Sequence, residues 1–248
     1  GTKGEMVEYL RYDAERNPKN PWFRSIDGSG QDISLEPITK AEFDRIRNTY
    51  APLEDLKKIY AQAFEHPSVK GIVVGTRPDC IDEYKLDYFK ELSAEKIVII
   101  EYGIESCYDK TLKRINRGHN FETAVKAVEA TAARGLHQGA HFIFGLPGES
   151  KEELMGMAPI INKLPLNSVK FHQLQIIKGT PMEAEFASRP EDFVQFSLEE
   201  YIDFFIDFLE LLRPDLYIER FAGEVPPRFV NSSPWGKIRN VQLLQMLE

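Results

Sequence analysis

Short, nearly continuous apolar runs alternate along this chain with longer stretches in which apolar residues recur every three or four positions. Five of the short runs predict strands: Gly71 to Gly75, Lys96 to Tyr102, Ala140 to Phe144, Ser168 to Gln175 and Leu216 to Glu219. The first three are apolar at almost every position, as expected of parallel strands covered on both faces. Between them, Leu53, Leu56, Ile59, Tyr60 and Phe64 form a helical stripe after Pro52, and Tyr84, Leu86, Phe89 and Leu92 form another. Asn120 is placed to cap a helix through Ala124, Val125, Val128 and Ala132, with Gly135 to end it. Ser150-Lys-Glu-Glu153 and Ser197-Leu-Glu-Glu200 are capping boxes, in which a hydroxyl and a carboxylate three residues on satisfy amides that a helix start leaves unpaired. Strand and helix alternate, which predicts βα units, a parallel sheet and right-handed crossovers.

The two ends of the chain break the rhythm. Before Asn48 no run reads as a strand. Met6, Val7 and Leu10 suggest a helix, Pro18 to Gln31 a loop, and Thr39-Lys-Ala-Glu42 a further capping box. Pro226 to Lys237 holds three prolines with Asn231, Ser232 and Gly236, and reads as an irregular tail before a short helix.

Composition narrows the class. With 248 residues the chain has room for one barrel-sized domain or two small ones. Its formal charge of −8 argues against nucleic-acid binding by bulk charge, which needs clustered cations to neutralise phosphates. The apolar runs fall far short of the ~20 residues that cross a bilayer, and the first ten residues carry Lys3, Glu5 and Glu8, so no membrane span or secretory leader is expected. Two cysteines, Cys80 and Cys107, make neither a disulfide framework nor a zinc site; a reducing, cytoplasmic setting without disulfides is expected.

In parallel βα folds the chemistry gathers at the carboxyl ends of the strands. Those positions hold Gly75-Thr-Arg-Pro-Asp-Cys80, Glu101-Tyr-Gly-Ile-Glu-Ser106, Gly145-Leu-Pro-Gly-Glu149 and the trio His172, Gln173 and Gln175. Each has an ordinary structural account as well. Gly145 to Glu149 makes a tight turn into a capped helix, and Arg77 and Asp79 form an ion pair or cap the helix after Ile81. Glu101 and Glu105 are solvated, or resemble a glycosidase carboxylate pair. His141 and His172 are hydrogen-bonded interior histidines, and Lys110, Lys113, Arg114, Arg117 and His119 line a solvated helix face.

Order and spacing carry more than any single loop. Glu101 to Ser106, then Thr111-Leu-Lys-Arg-Ile-Asn-Arg-Gly-His119, then His141-Phe-Ile-Phe-Gly-Leu-Pro-Gly-Glu149 resembles the second half of a radical S-adenosylmethionine (radical SAM) enzyme. With Asn48-Thr-Tyr-Ala51, Gly75 to Cys80 and Lys178-Gly-Thr180, the resemblance narrows to the YhcC-type branch, related to elongator-type tRNA enzymes, and extends from about Asn48 to Trp235.

That resemblance implies an α/β fold, a partial, open (β/α) barrel of parallel strands, incomplete at its N-terminal side and followed by a C-terminal extension. The expected divisions are residues 1–47 outside the match, 48–185 for the barrel, and 186–248 for a C-terminal helix, strand and tail. It also implies S-adenosylmethionine and a 4Fe-4S cluster at the strand ends, an external electron donor, a 5′-deoxyadenosyl radical, and an oxidoreductase or transferase whose unidentified substrate is tRNA by analogy. Position by position, Glu105 matches the residue holding the methionine amino end, and Arg117 the arginine that pairs with its carboxylate. His141 matches the residue facing the ribose, Gly145 to Gly148 the turn that lets backbone approach the adenine, and Gln173 and Gln175 flank the adenine. Gly75 stands where some relatives carry an acidic ligand, with Thr76 or Arg77 to compensate. The family's three-cysteine loop has no counterpart here, so the chain as printed does not ligate the cluster. The alternative is a non-catalytic barrel that binds S-adenosylmethionine or RNA and has lost the cluster.

Overall fold

A computed structural model of the protein describes residues 51–66, 68–223, 225, 229, 230, 235 and 240–247. The helix, loop and capping box expected before residue 48, and their packing beside the sheet, lie outside the described residues. Two compact units divide the chain, residues 1–71 and 72–248. In the first, α1 (Leu53–Phe64) follows Pro52 and carries Glu54 and Asp55 in its opening turn, where acidic groups complement the helix dipole.

The second unit follows the predicted alternation. From Gly71 onward the order is β1 (Gly71–Thr76), α2 (Glu83–Leu92), β2 (Ile97–Glu105), α3 (Asp109–Arg114), α4 (Phe121–Ala133), β3 (His137–Phe144), α5 (Lys151–Ile161), β4 (Ser168–Gln173), α6 (Pro181–Ser188), α7 (Leu198–Leu211), β5 (Tyr217–Arg220) and α8 (Asn240–Leu247). The strands form one open sheet in the order β1-β2-β3-β4-β5. β2 with β3, β3 with β4 and β4 with β5 pair in parallel. Among the described residues the sheet begins at Gly71, and β1 stands at its edge, as expected of a barrel incomplete on that side.

The predicted starts act as caps. Ser150 and Ser197 each close a full capping box, and Asn120 accepts from the Thr123 amide. The cap of α2 is Asp82, which accepts from the Lys85 amide, so Asp79 is released to pair with Arg77. Two helices show no apolar stripe in the sequence: α3, six residues long and visible there only as a basic face, and α6, none of whose residues is buried. β2 runs three residues past Tyr102, and β4 stops two short of Gln175, its last ladder bond running from the Leu174 amide to the Phe144 carbonyl.

One face of the sheet makes the core. Phe144 and Phe171 stack on each other, and Phe205 and Phe208 of α7 meet both edge-on at 5.0 to 6.1 Å. Tyr102 is fully buried and its hydroxyl lies 2.7 Å from Thr131 Oγ1 on α4. Each such ring contributes about 1.5 to 3 kcal/mol on burial, with edge-to-face geometry adding to it. The opposite face carries Glu101, Gly103 and Glu105 of β2, His141 of β3, Ser168, Lys170 and His172 of β4, and Glu219 of β5. Among the described residues no helix is long and apolar enough to cross a membrane.

Candidate functional site at the strand carboxyl ends

The end of β2 is the most constrained backbone on the polar face. Glu105 is a non-glycine residue at φ +72°, and the β2–β3 register slips between Gly103 and Glu105. A left-handed residue costs on the order of 1 to 3 kcal/mol, so the surrounding contacts must hold it there. They do so through Arg117. Its Nη2 lies 3.1 Å from Glu105 Oε1, while Nε donates to the Gly103 carbonyl at 3.2 Å. Burial pushes the Glu105 carboxyl above the usual range, and the charges of Arg117 and His141 pull against that shift.

Arg117 reaches this point because α3 is followed by a tight turn. Asn116 and Gly118 both adopt positive φ, and a Cβ at Gly118 would stand 2.5 Å from Arg77 Nη2. Gly118 thus lets the loop after β1 pack against the loop after α3. Arg77 grips Asp79 with a two-pronged ion pair. Burial raises the Asp79 carboxyl, but the Arg77 hydrogen bonds and charge outweigh it and hold Asp79 below its ordinary value. Thr76 is nearly buried and donates to the Arg77 carbonyl, and Gly75 faces open space. His119 closes the group, with Nε2 3.4 Å from the Gly103 carbonyl.

The basic cluster is therefore not one solvated face. Lys110 meets Glu153 and the Gly148 carbonyl, Arg114 meets Glu185 and Asp192, and Arg117 meets Glu105. Three cations tie α3 and the turn after it to three different parts of the fold. Gly145, at φ +85°, has its missing Cβ aimed at the Val194 carbonyl 2.6 Å away, so the segment before α7 packs on this turn. Glu149 is almost fully buried and accepts from Ser106, joining the loops after β2 and β3; burial raises its pKa.

Deeper on the same face Glu101, His141 and His172 meet two partners that the sequence did not single out, Lys170 and Glu219. Glu101 is neither solvated nor paired with Glu105. Its Oε2 lies 3.1 Å from His141 Nε2, and Oε1 accepts from Lys170 Nζ. The His141 hydrogen bond, with the bond and charge of Lys170, holds the Glu101 carboxyl down at about 2 despite burial. Lys170 Nζ is also 3.3 Å from Glu219 Oε2, and Ser168 donates to Glu219. The His141 and His172 rings stack with centroids 5.5 Å apart, and burial, reinforced by His141, Arg220 and Lys170, lowers His172 to about 4. The legible signal was period two: Glu101, Glu105, His141, Lys170 and His172 all fall on the same side of their strands.

Gln173 and Gln175 take different paths. Gln173 exchanges two hydrogen bonds with the backbone of Gly223, at 3.1 and 2.8 Å, and pins the segment after β5. Gln175 lies beyond the end of β4. A depression lined by His137, Asn162, Lys163, Arg213 and Asp215 sits at the opposite, amino-terminal ends of the strands, where no expected site residue lies.

The open parallel sheet and the loops at its carboxyl ends are those of a radical SAM domain. The profile of the Radical SAM superfamily matches residues 15–158, more than half of the chain, and that of the Radical_SAM C-terminal domain matches 166–248; the chain belongs to this family. It is 37% identical over 188 residues to Methanocaldococcus jannaschii protein MJ0486, covering 75% of this chain and 58% of that protein. To Escherichia coli protein YhcC it is 35% identical over 143 residues, 57% of this chain and 46% of YhcC. To the tRNA uridine(34) acetyltransferase of Methanocaldococcus infernus it is 32% identical over 133 residues, 52% of this chain and 24% of the enzyme. The solved structure of archaeal Methanocaldococcus infernus Elp3, lacking residues 1–46, superposes with TM-score 0.57 at 25% identity over 65% of this chain and 37% of that one. The chain thus spans less than two thirds of the length of these relatives.

Proposed function

We propose that this chain binds S-adenosylmethionine at the carboxyl ends of β2 and β3, with Glu105 receiving the amino end, Arg117 the carboxylate and His141 the ribose. The observation that carries the reading is the Glu105–Arg117 pair, held on a left-handed residue where the sheet register breaks. A guanidinium fork and a carboxylate side by side fit the two charged ends of an amino acid, whose carboxylate and ammonium need opposite partners. Thr76 and Arg77, and Gln175 on the adenine side, belong to the same reading; the Cβ spaces of Gly145 and Gly148 are filled by the Val194 carbonyl and Arg114, and the Gln173 amide is held by Gly223, so these three serve packing around the site.

The residues present fit S-adenosylmethionine and do not fit the cluster. Family members hold 4Fe-4S with three thiolates, and this chain has two cysteines, both free and on different loops. Burial pushes the Cys107 thiol well up, and burial with the charge of Asp79 raises Cys80, so neither is poised as a thiolate. The same count supports the second reading, a domain that keeps the cofactor pocket without redox chemistry of its own. With an intact cysteine loop, the cluster and S-adenosylmethionine would supply radical hydrogen abstraction, fed by an external electron donor. Kinship to the tRNA uridine(34) acetyltransferase supports tRNA as substrate.

Titration calorimetry with S-adenosylmethionine tests the pocket. Arg117→Ala is expected to weaken binding by about 1.5 to 3 kcal/mol, the worth of a charge-assisted hydrogen bond. Equal affinity for variant and parent would remove Arg117 from the site.

A further inference from the structure

We infer that Glu101, anchored by Lys170, is a positioning residue that holds His141 with Nε2 protonated and leaves Nδ1 as an acceptor for a ligand hydroxyl. The inference rests on the proposed cofactor reading and adds to it two residues that touch no reacting atom.

The geometry starts from Glu101. It is a nearly buried carboxylate in the middle of an otherwise apolar strand, a costly place for a charge unless partners are fixed around it. Both oxygens are occupied: Oε2 faces His141 Nε2 at 3.1 Å, and Oε1 takes a bond from Lys170. An ionised carboxylate has no proton to donate, so the imidazole must donate from Nε2. In the neutral ring the proton at Nε2 leaves a lone pair at Nδ1. Among the described residues no hydrogen bond engages Nδ1, and the His141 side chain stays 29% exposed on the open face. A histidine oriented by a carboxylate on one nitrogen and presenting the other to a ligand is a recurrent device.

Lys170 keeps Glu101 in place. It lies on β4 with only 17% of its side chain exposed, and bridges Glu101 to Glu219 on β5, which Ser168 holds in turn. The row His141-Glu101-Lys170-Glu219 therefore crosses from the segment matched by the Radical SAM profile into the segment matched by the C-terminal profile. The C-terminal segment acts on the pocket by fixing a carboxylate behind the ribose-facing histidine. The ligand class that such an acceptor selects is one with a hydroxyl, here the ribose of S-adenosylmethionine.

Two measurements on the chain separate this role from a structural one. Nitrogen-15 spectra of labelled histidine report the His141 tautomer, and calorimetry compares S-adenosylmethionine with its 2′,3′-dideoxyribose analogue. The parent is expected to show the Nε2-protonated tautomer and to prefer the natural ribose by about tenfold, one hydrogen bond's worth. Glu101→Gln, whose amide can either donate or accept, should mix the tautomers and reduce the preference, while affinity for the analogue is unchanged. Lys170→Arg should retain both properties. An Nδ1-protonated His141 in the parent overturns the inference without any variant. So does a Glu101→Gln protein that loses affinity for both ligands equally with its tautomer unchanged. If the parent binds neither ligand, the cofactor reading fails and the tautomers alone decide: a change on Glu101→Gln upholds the positioning role, and no change overturns it.

Discussion

The two faces of this sheet are built from alternate residues of the same strands and have opposite chemistry. On the helix side, Ile100, Tyr102, Phe142, Phe144, Val169 and Phe171 are almost wholly buried, and Phe144 and Phe171 make an aromatic cluster with α7. One residue away along each strand, Glu101, His141 and Lys170 form a charged row that keeps some contact with solvent. The first face supplies stability that depends on area and packing, with no directional requirement. The second supplies direction at some cost in desolvation, because each charge must meet a partner in a fixed geometry. Because the two faces alternate along the same strands, packing on the first fixes the backbone from which the polar residues of the second project.

Breaking the packed face should have the largest effect. Phe171→Ala removes a ring shared by Phe144, Phe205 and Phe208, and is expected to cost about 3 to 5 kcal/mol of folding stability in urea melts. A cost below about 1 kcal/mol would mean that the aromatic cluster does not hold the sheet. The polar face should answer Arg117→Ala with lost affinity for S-adenosylmethionine, in the range given above, and a smaller change in melting. The two responses together test whether the faces divide stability and binding.

Acid sharpens the comparison further. The folded pKa of Glu101, about 2, lies below its ordinary 4.5, so between those values the unfolded chain binds more protons than the folded one. Stability from this carboxylate is present above about pH 4.5 and is lost as the pH falls towards 2. Glu105 and Glu149 are raised by burial and act in the other direction, losing stability as the pH rises through their folded values. Glu101→Gln should therefore flatten the loss of stability between about pH 4.5 and 2; an unchanged acid limb would show that the Glu101 contacts do not bear on folding.

The smallest expected difference lies on one strand. Val74 is 2% exposed and Val73 is 59% exposed. Val74→Ala should cost about 1.5 kcal/mol for two methyl groups, and Val73→Ala less than about 0.5 kcal/mol. Equal costs would mean that β1 is covered on both faces.

The alternation of elements, both capping boxes, the Asn120 cap and the five strands followed from the sequence, because each rests on neighbours within a few positions. α3 showed only as a basic helix face, and α6 did not show at all, since none of its residues is buried and it carries no core-facing stripe. The order and spacing of the strand-end motifs placed Thr76, Arg77, Glu105 and His141 on or just after strands, where the sheet has them. Glu101 was singled out as well, but its partner Lys170 and the Glu219 beyond it were not, although each interrupts a strand with a charge.

What the sequence alone determined is which residues stand at strand ends and which face of each strand they occupy, since an alternation of period two is a local property of the backbone. Only the tertiary structure decided the partners. Glu101 and Lys170 are 69 positions apart, and Arg117 reaches Glu105 through a glycine turn that also receives Arg77. Parallel pairing brings His141 beside Lys170 in register, and a residue-scale shift would separate them. Charge pairs of this kind depend on distances of a few ångströms, and those distances are set by the sheet.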